Sequence, residues 1–180
     1  MRGIGHRLKV HYPAAIAAYR EALDLYRSLS PESGDVSIAL NALAEAERLS
    51  GDLAAAERDY SEALRVARAV GFPEGVATYI GNLAELALDR EDRPGAETLA
   101  REALPLSEKL GRRESIAEDC RRLAQALVRQ GKVTAAVPYA RRAVEIYTRL
   151  GSRPRSRPRG AAGVRVLTVH LDSRIGIRPH

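Results

Sequence analysis

Apolar residues recur along this chain at intervals of three and four, which is the spacing of an amphipathic helix. One such stretch ends at the polar pair Glu91 and Asp92, and a second stretch begins directly after it. Similar polar breaks occur at 50–52 and 130–132. The pattern therefore predicts pairs of helices joined by short turns. The apolar positions of the two stretches are Ala77, Ile80, Leu83, Ala84 and Ala87, then Ala96, Leu99, Ala103, Leu106 and Leu110.

The helix-pair pattern returns every 40 residues, as Leu43, Leu83 and Leu123 illustrate. Such a register indicates a stack of like units, and a stack of this kind usually forms a binding surface. The prediction is an all-α fold with seven helices near 13–29, 35–49, 53–70, 74–90, 94–110, 114–130 and 134–150.

Residues that suit helix ends stand at the predicted boundaries. Asp52 and Asp92 can accept hydrogen bonds from the free amides at the start of the next helix. Glycines at 71, 111 and 151 suit a left-handed residue beyond a helix end, where a side chain would clash. Pro105 lacks an amide hydrogen and crowds the preceding turn, so it predicts a bend in the fifth helix.

The recurring residues resemble the tetratricopeptide repeat (TPR) family over residues 13–151. The resemblance rests on segment 82–87, the turn at Glu91 and Asp92, Ala96, and segment 102–104. It implies a right-handed α-solenoid of helix pairs. The 40-residue length is similar to the longer repeats of kinesin light chains and of the arrays in bacterial signalling ATPases. The chain departs from the family pattern at Glu47, Ala100, Lys132 and Ala140.

The ends of the chain differ from the repeats. Residues 1–12 are interpreted as the remnant of a truncated first helix, 13–151 as a half repeat plus three repeats, and 152–180 as an Arg- and Pro-rich tail expected to be disordered. No polar capping repeat is recognisable at either end. We therefore expect a fragment of a larger protein, or an array whose two ends a partner covers.

Charge is distributed unevenly. The net charge is +6, and residues 152–180 supply all of it with seven arginines and one aspartate. A polyanion-binding groove in the neutral repeat body is therefore not expected. The tail could neutralise phosphates, but no aromatic residue is interleaved to stack on bases, so nucleic-acid binding is the weaker alternative. Its arginines nearest the repeats are Arg153, Arg155, Arg157 and Arg159.

No catalytic or cofactor constellation is recognisable. The four histidines, His6, His11, His170 and His180, lie outside the repeats without the spacing of a metal site. Cys120 falls on a helical apolar face and is interpreted as a small buried hydrophobe. We therefore predict no enzyme activity, no metal and no cofactor.

The composition points to a compartment and a source. No apolar run is long enough to cross a bilayer, and a single cysteine fits a reducing compartment. A cytoplasmic protein without membrane contact is expected. Of the 29 basic residues only Lys9, Lys109 and Lys132 are lysines, which favours a GC-rich bacterial source.

The TPR resemblance implies a concave groove lined by the first helix of each pair. Its middle third is acidic and its last third basic, which would hold an extended peptide in one direction. A protein or peptide is therefore the expected partner of a scaffold. A peptide-sensing regulator, or helix faces that are merely solvated, remain alternatives. The groove positions are Asn41, Glu45, Arg48, Thr78, Glu85, Asp89, Arg121, Gln125 and Arg129.

A second surface lies on the first predicted helix, where apolar and aromatic residues form one stripe. In a longer array this stripe would be core. In this chain it would be uncovered and invites a homodimer or an upstream domain. Its residues are Tyr12, Ile16, Tyr19, Leu23 and Tyr26.

Overall fold

The computed structural model describes residues 12–151, which form seven α-helices and contain no strand. The predicted truncated helix before residue 12 and the tail after 151 lie outside the described residues. Each predicted helix boundary agrees with the structure to within one residue. The helices are α1 (Tyr12–Leu29), α2 (Gly34–Ser50), α3 (Leu53–Ala69), α4 (Pro73–Asp89), α5 (Arg93–Lys109), α6 (Arg113–Arg129) and α7 (Val133–Arg149).

Side-chain caps begin several of these helices. Ser33 accepts a hydrogen bond from the Val36 amide before α2, at 3.3 Å. The predicted caps are confirmed: Asp52 accepts from the Ala55 amide and Asp92 from the Gly95 amide, both at 3.0 Å. Such a cap satisfies an amide that has no partner within the helix. The cap positions of α6 and α7 carry basic residues that make no such bond.

Left-handed residues end the helices where the sequence predicts them. Gly71, Gly111 and Gly151 have φ values of 66°, 65° and 62°. Glu91 adopts the same conformation with φ 60°, at the turn position that glycine occupies in the repeats before and after it. A side chain in this region is strained, because its Cβ crowds the backbone. Helix α5 continues through Pro105, and the predicted bend there stays a prediction.

The residues up to Tyr79 form one compact unit and those from Ile80 a second. In the N-terminal unit α1 packs on α2 and α2 on α3, around Leu23, Leu40, Leu43, Val66 and Tyr79.

In the C-terminal unit α5 packs on α6 and α6 on α7, around Leu104, Cys120, Leu123, Leu127 and Ala143. Cys120 is fully buried, as the sequence predicts, and burial raises the pKa of its thiol to about 11.

Alanines explain how the helices approach one another within each unit. Ala56, Ala96 and Ala136 stand 40 residues apart and are all fully buried. A methyl side chain lets two helix backbones pack closely without a void. The leucine register is less uniform: Leu43 and Leu123 are buried, whereas Leu83 keeps part of its side chain exposed.

Candidate functional site

The predicted groove positions of the N-terminal unit make most of their contacts within their own helices, and Glu45 also reaches α3. Glu45 forms an ion pair with Arg48 one turn later, at 2.9 Å, and accepts a hydrogen bond from the hydroxyl of Tyr60. The Thr78 hydroxyl donates to the backbone carbonyl of Glu74 at 2.8 Å. Asn41 is half-buried. Glu45, whose side chain is 42% exposed, is therefore the accessible carboxylate of this group.

The predicted groove positions of the C-terminal unit form an ion network between α4 and α6. The Arg121 guanidinium donates to Glu85, to Glu118 at 3.0 Å and to Gln125 at 2.8 Å. Arg121 is buried, with 7% of its surface exposed. Burial opposes its charge, but the two neighbouring carboxylates more than compensate and raise the pKa of Arg121. The charge is therefore held inside the unit.

Sequence reasoning missed a second layer of this network. Arg122 bonds Glu85 and Asp119, both at 3.0 Å, and the Ser107 hydroxyl donates to Asp119 at 2.7 Å. Asp119 is buried, and burial raises the pKa of its carboxyl. The ion pair between Asp119 and Arg122 could have been predicted from their three-residue spacing, because residues so spaced meet on one helix face.

Gly81 leaves the room that this second layer occupies. A Cβ at Gly81 would lie 2.8 Å from Asp119 Oδ1 and 2.9 Å from Arg122 Nη1. Real Cβ atoms do not approach other atoms so closely, so any other residue would have to displace the ion pair. The glycine is thus part of the α4–α6 ion network.

Two predicted groove residues, Asp89 and Arg129, line one cleft near the C-terminal ends of α4 and α6. The cleft has a volume of about 420 Å³, and both residues are exposed. Arg129 Nη1 donates to the backbone carbonyl of Leu88 at 2.6 Å, which orients the guanidinium. Glu91 and Arg93 complete its rim. We call this the α4–α6 cleft. It presents two carboxylates and two guanidinium groups.

The structure divides the predicted stripe on α1. Leu23 is buried in the N-terminal core and Ile16 packs against it. Tyr19 and Tyr26 are 39% and 38% exposed. On the adjoining surface Leu29 is 76% exposed, which the sequence did not single out. The use of this stripe for docking stays a prediction.

Models of the tetratricopeptide repeat match residues 11–69, 35–109 and 120–150, so the chain belongs to the tetratricopeptide repeat family. Repeats of this family generally mediate protein–protein interaction, and the fold is typically non-enzymatic. No curated protein matches the sequence significantly.

Solved structures share the fold at low sequence identity. BtubC (BKLC) from P. vanneervenii is 23% identical, with a TM-score of 0.71 over 93% of this chain and 68% of its own. The nearly identical TPR-like repeats assigned to a kinesin light chain of Podosopora anserina are 16% identical, with a TM-score of 0.67 over 92% and 79%. At these identities the likeness shows the fold alone, and it confirms the helix-pair repeat that the sequence predicts.

None of the seven helices in residues 12–151 is long and apolar enough to cross a membrane.

Proposed function

We propose that this chain is a binding scaffold that holds a protein segment or peptide of mixed charge, and that the α4–α6 cleft is its principal contact. The observation that carries the proposal is that two exposed residues of opposite charge, Asp89 and Arg129, line one cleft of about 420 Å³. Arg129 keeps donors beyond the one bonded to Leu88 and can bind a carboxylate or a peptide carbonyl. Asp89 can accept from a basic side chain.

The ion network behind the cleft supports this assignment. Glu85 and Arg121 lock α4 against α6, so the helix ends that carry Asp89 and Arg129 are held in place before a ligand arrives. A site built on rigid helices loses little conformational entropy on binding. Glu85 and Arg121 therefore hold the two helices in position. The residues that would contact the ligand directly are Asp89 and Arg129.

We also propose a source and a cellular location for the protein. The arginine-rich composition supports a bacterial source, and a lone cysteine supports a cytoplasmic location. A scaffold within a larger regulatory protein fits both. A peptide-sensing regulator would use the same cleft, because sensing needs the same contacts together with a coupled response.

Peptides selected from a random displayed library on the full chain would test the proposal. Charge reversal in Asp89→Lys or Arg129→Glu should weaken binding of the selected peptides by about tenfold or more in fluorescence anisotropy. Arg113→Glu is the matched control, since Arg113 is exposed on α6 at the opposite end of the helix from Arg129. Deletion of residues 152–180 should leave affinity unchanged.

Two results would contradict the proposal. The first is equal affinity in Asp89→Lys, Arg129→Glu and Arg113→Glu. The second is loss of binding on deletion of the tail, together with RNA affinity that falls roughly a thousandfold between low and physiological salt. The second result would favour nucleic-acid contact through the basic tail.

A further inference from the structure

Glu47 is a buried carboxylate at a position where the family pattern has an aromatic residue. Only 2% of its surface is exposed. Arg20 Nη2 donates to its Oε1 at 3.1 Å, whereas Oε2 has no hydrogen-bond partner among the described residues. A buried acceptor without a donor is destabilising, and more so when it is charged. The native fold therefore keeps an unsatisfied charge at this point.

Glu47 lines a cavity among α1, α2 and α3. Its volume is about 300 Å³, enough for several atoms of a ligand. The Asp59 carboxyl on α3 lies close enough to add to the effect of burial and raise the pKa of Glu47 to about 6. The two carboxyl groups are within hydrogen-bond reach of each other, and when both are ionised no donor lies between them. The cavity is lined by Arg20, Leu23, Asp24, Arg27, Leu43, Glu47, Arg58 and Asp59.

The basic residues of the lining do not supply the missing donor. Arg20 is bonded to the other oxygen of Glu47. Arg27 acts on Glu62, where it helps to lower the pKa of that carboxyl. Arg58 and Asp24 are both exposed. The charges of the lining cancel in number, but when Glu47 and Asp59 are both ionised the buried Glu47 Oε2 has no donor among the described residues.

We propose that this cavity, the Glu47 pocket, binds a primary alkylammonium group such as a lysine side chain carries, placed between Glu47 and Asp59. An ammonium group offers three donors on a compact charge, which suits two carboxylates that meet from different helices. Leu23 and Leu43 provide apolar wall for the methylene stem. Exposed Arg58 at the mouth suits an acidic residue beside the lysine. This proposal rests on the proposed function in taking the lysine from a bound peptide.

Binding in the Glu47 pocket depends on pH in a defined direction. Below about pH 6 a proton occupies the Glu47 carboxyl and competes with the cation. The other charged residues that line the pocket around Glu47 are Arg20, Asp24 and Arg27 on α1, and Arg58 and Asp59 on α3. Affinity for the ammonium group should rise with pH through this value and then level off.

The test is a titration of the full chain, carrying ¹³C-labelled glutamate carboxyl groups, with butylammonium and with Nα-acetyl-lysine methylamide. The Glu47 carboxyl resonance should shift saturably with both, and affinity should be about tenfold higher near pH 8 than near pH 5. Isothermal titration calorimetry measures affinity in the variants, because Glu47→Gln removes the reporting carboxyl. Binding should weaken about tenfold or more in Glu47→Gln and in Asp59→Asn. Glu114→Gln is the control, since Glu114 is exposed on α6 away from the pocket, and it should bind as the parent does.

Equal binding in Glu47→Gln, Asp59→Asn and Glu114→Gln would overturn the proposal. The absence of a saturable shift in the parent, or equal shifts with uncharged butanol, would also overturn it. Tighter binding of the lysine derivative than of butylammonium identifies a peptide lysine as the source, and the reverse identifies a free amine. The proposed scaffold function fails separately, through the α4–α6 cleft variants. If the pocket binds the ammonium group but the protein binds no peptide, the proposed scaffold function is contradicted and the proposed pocket is not.

Discussion

At the residue scale, Glu47 links the stability of the fold to pH. Its folded-state pKa of about 6 lies above the ordinary 4.5, so the folded state holds the proton more tightly than the unfolded state does. The contribution of Glu47 to stability is therefore greatest below about pH 4.5, falls as pH rises to about 6, and is constant above that value. Glu47→Gln removes this dependence and should raise the unfolding free energy near pH 8 by about 1 kcal/mol.

Urea unfolding of the parent and of Glu47→Gln across this pH range measures the effect. The difference between the two proteins is the informative quantity, because other carboxyls titrate as well; Glu97, for example, has its pKa lowered to about 2, chiefly by a hydrogen bond from Lys132. A difference that stays constant from pH 4 to pH 8 would show that Glu47 has an ordinary pKa.

The same scale shows why individual site residues were hard to predict. Helical spacing places Glu85 and Arg121 on the first helices of their pairs, where charged residues are expected to be solvated. They lie 36 residues apart, and in the structure they pair with each other. The local sequence of α4 gives no indication that a guanidinium group of α6 lies beside Glu85. Asp89 and Arg129 are exposed and line one cleft, and that cleft also depends on helix packing; their role in partner binding stays a prediction.

At the scale of the helical elements, the turn between α4 and α5 carries avoidable strain. Glu91 has φ 60°, while Gly51 and Gly131 hold the equivalent turn positions with φ 98° and 78°. Glu91→Gly should therefore raise the unfolding free energy by about 0.5 to 1 kcal/mol, since glycine adopts this conformation without a Cβ clash. Its ion pair with Arg93, at 3.9 Å between exposed side chains, is a small loss.

Chemical denaturation of Glu91→Gly beside Gly131→Ala provides the comparison. The second change adds a Cβ at a left-handed residue with no atom within 4 Å of it, so any loss of stability comes from the backbone alone. It should destabilise by about 1 kcal/mol. Loss of stability in Glu91→Gly would mean that its side-chain contacts outweigh the strain.

At the scale of the whole molecule, a core substitution in one repeat should destabilise mainly the helices next to it. Leu123 is 1% exposed and lies in the core of the C-terminal unit. Leu123→Ala should cost about 2 to 5 kcal/mol, and the loss should fall on α5, α6 and α7, because each repeat depends chiefly on its neighbours. Native-state hydrogen exchange should therefore show faster exchange there than in α1 and α2.

Leu25→Ala is the control for this experiment, since Leu25 is 60% exposed and should change stability by no more than about 0.5 kcal/mol. A uniform rise in exchange across all seven helices after Leu123→Ala would contradict the local pattern. It would show a single cooperative unit instead.

The amino-acid sequence alone is enough to predict the all-α class, the 40-residue period and the seven helices of residues 12–151 with their ends. These features follow from interactions within one or two turns of helix: apolar spacing, caps such as Asp52 and Asp92, and left-handed glycines. The burial of Arg121 within an ion network and the unpartnered Oε2 of Glu47 are visible only in the tertiary structure. Those outcomes depend on distances between helices that are far apart in the chain, and side-chain spacing along one helix carries no record of them.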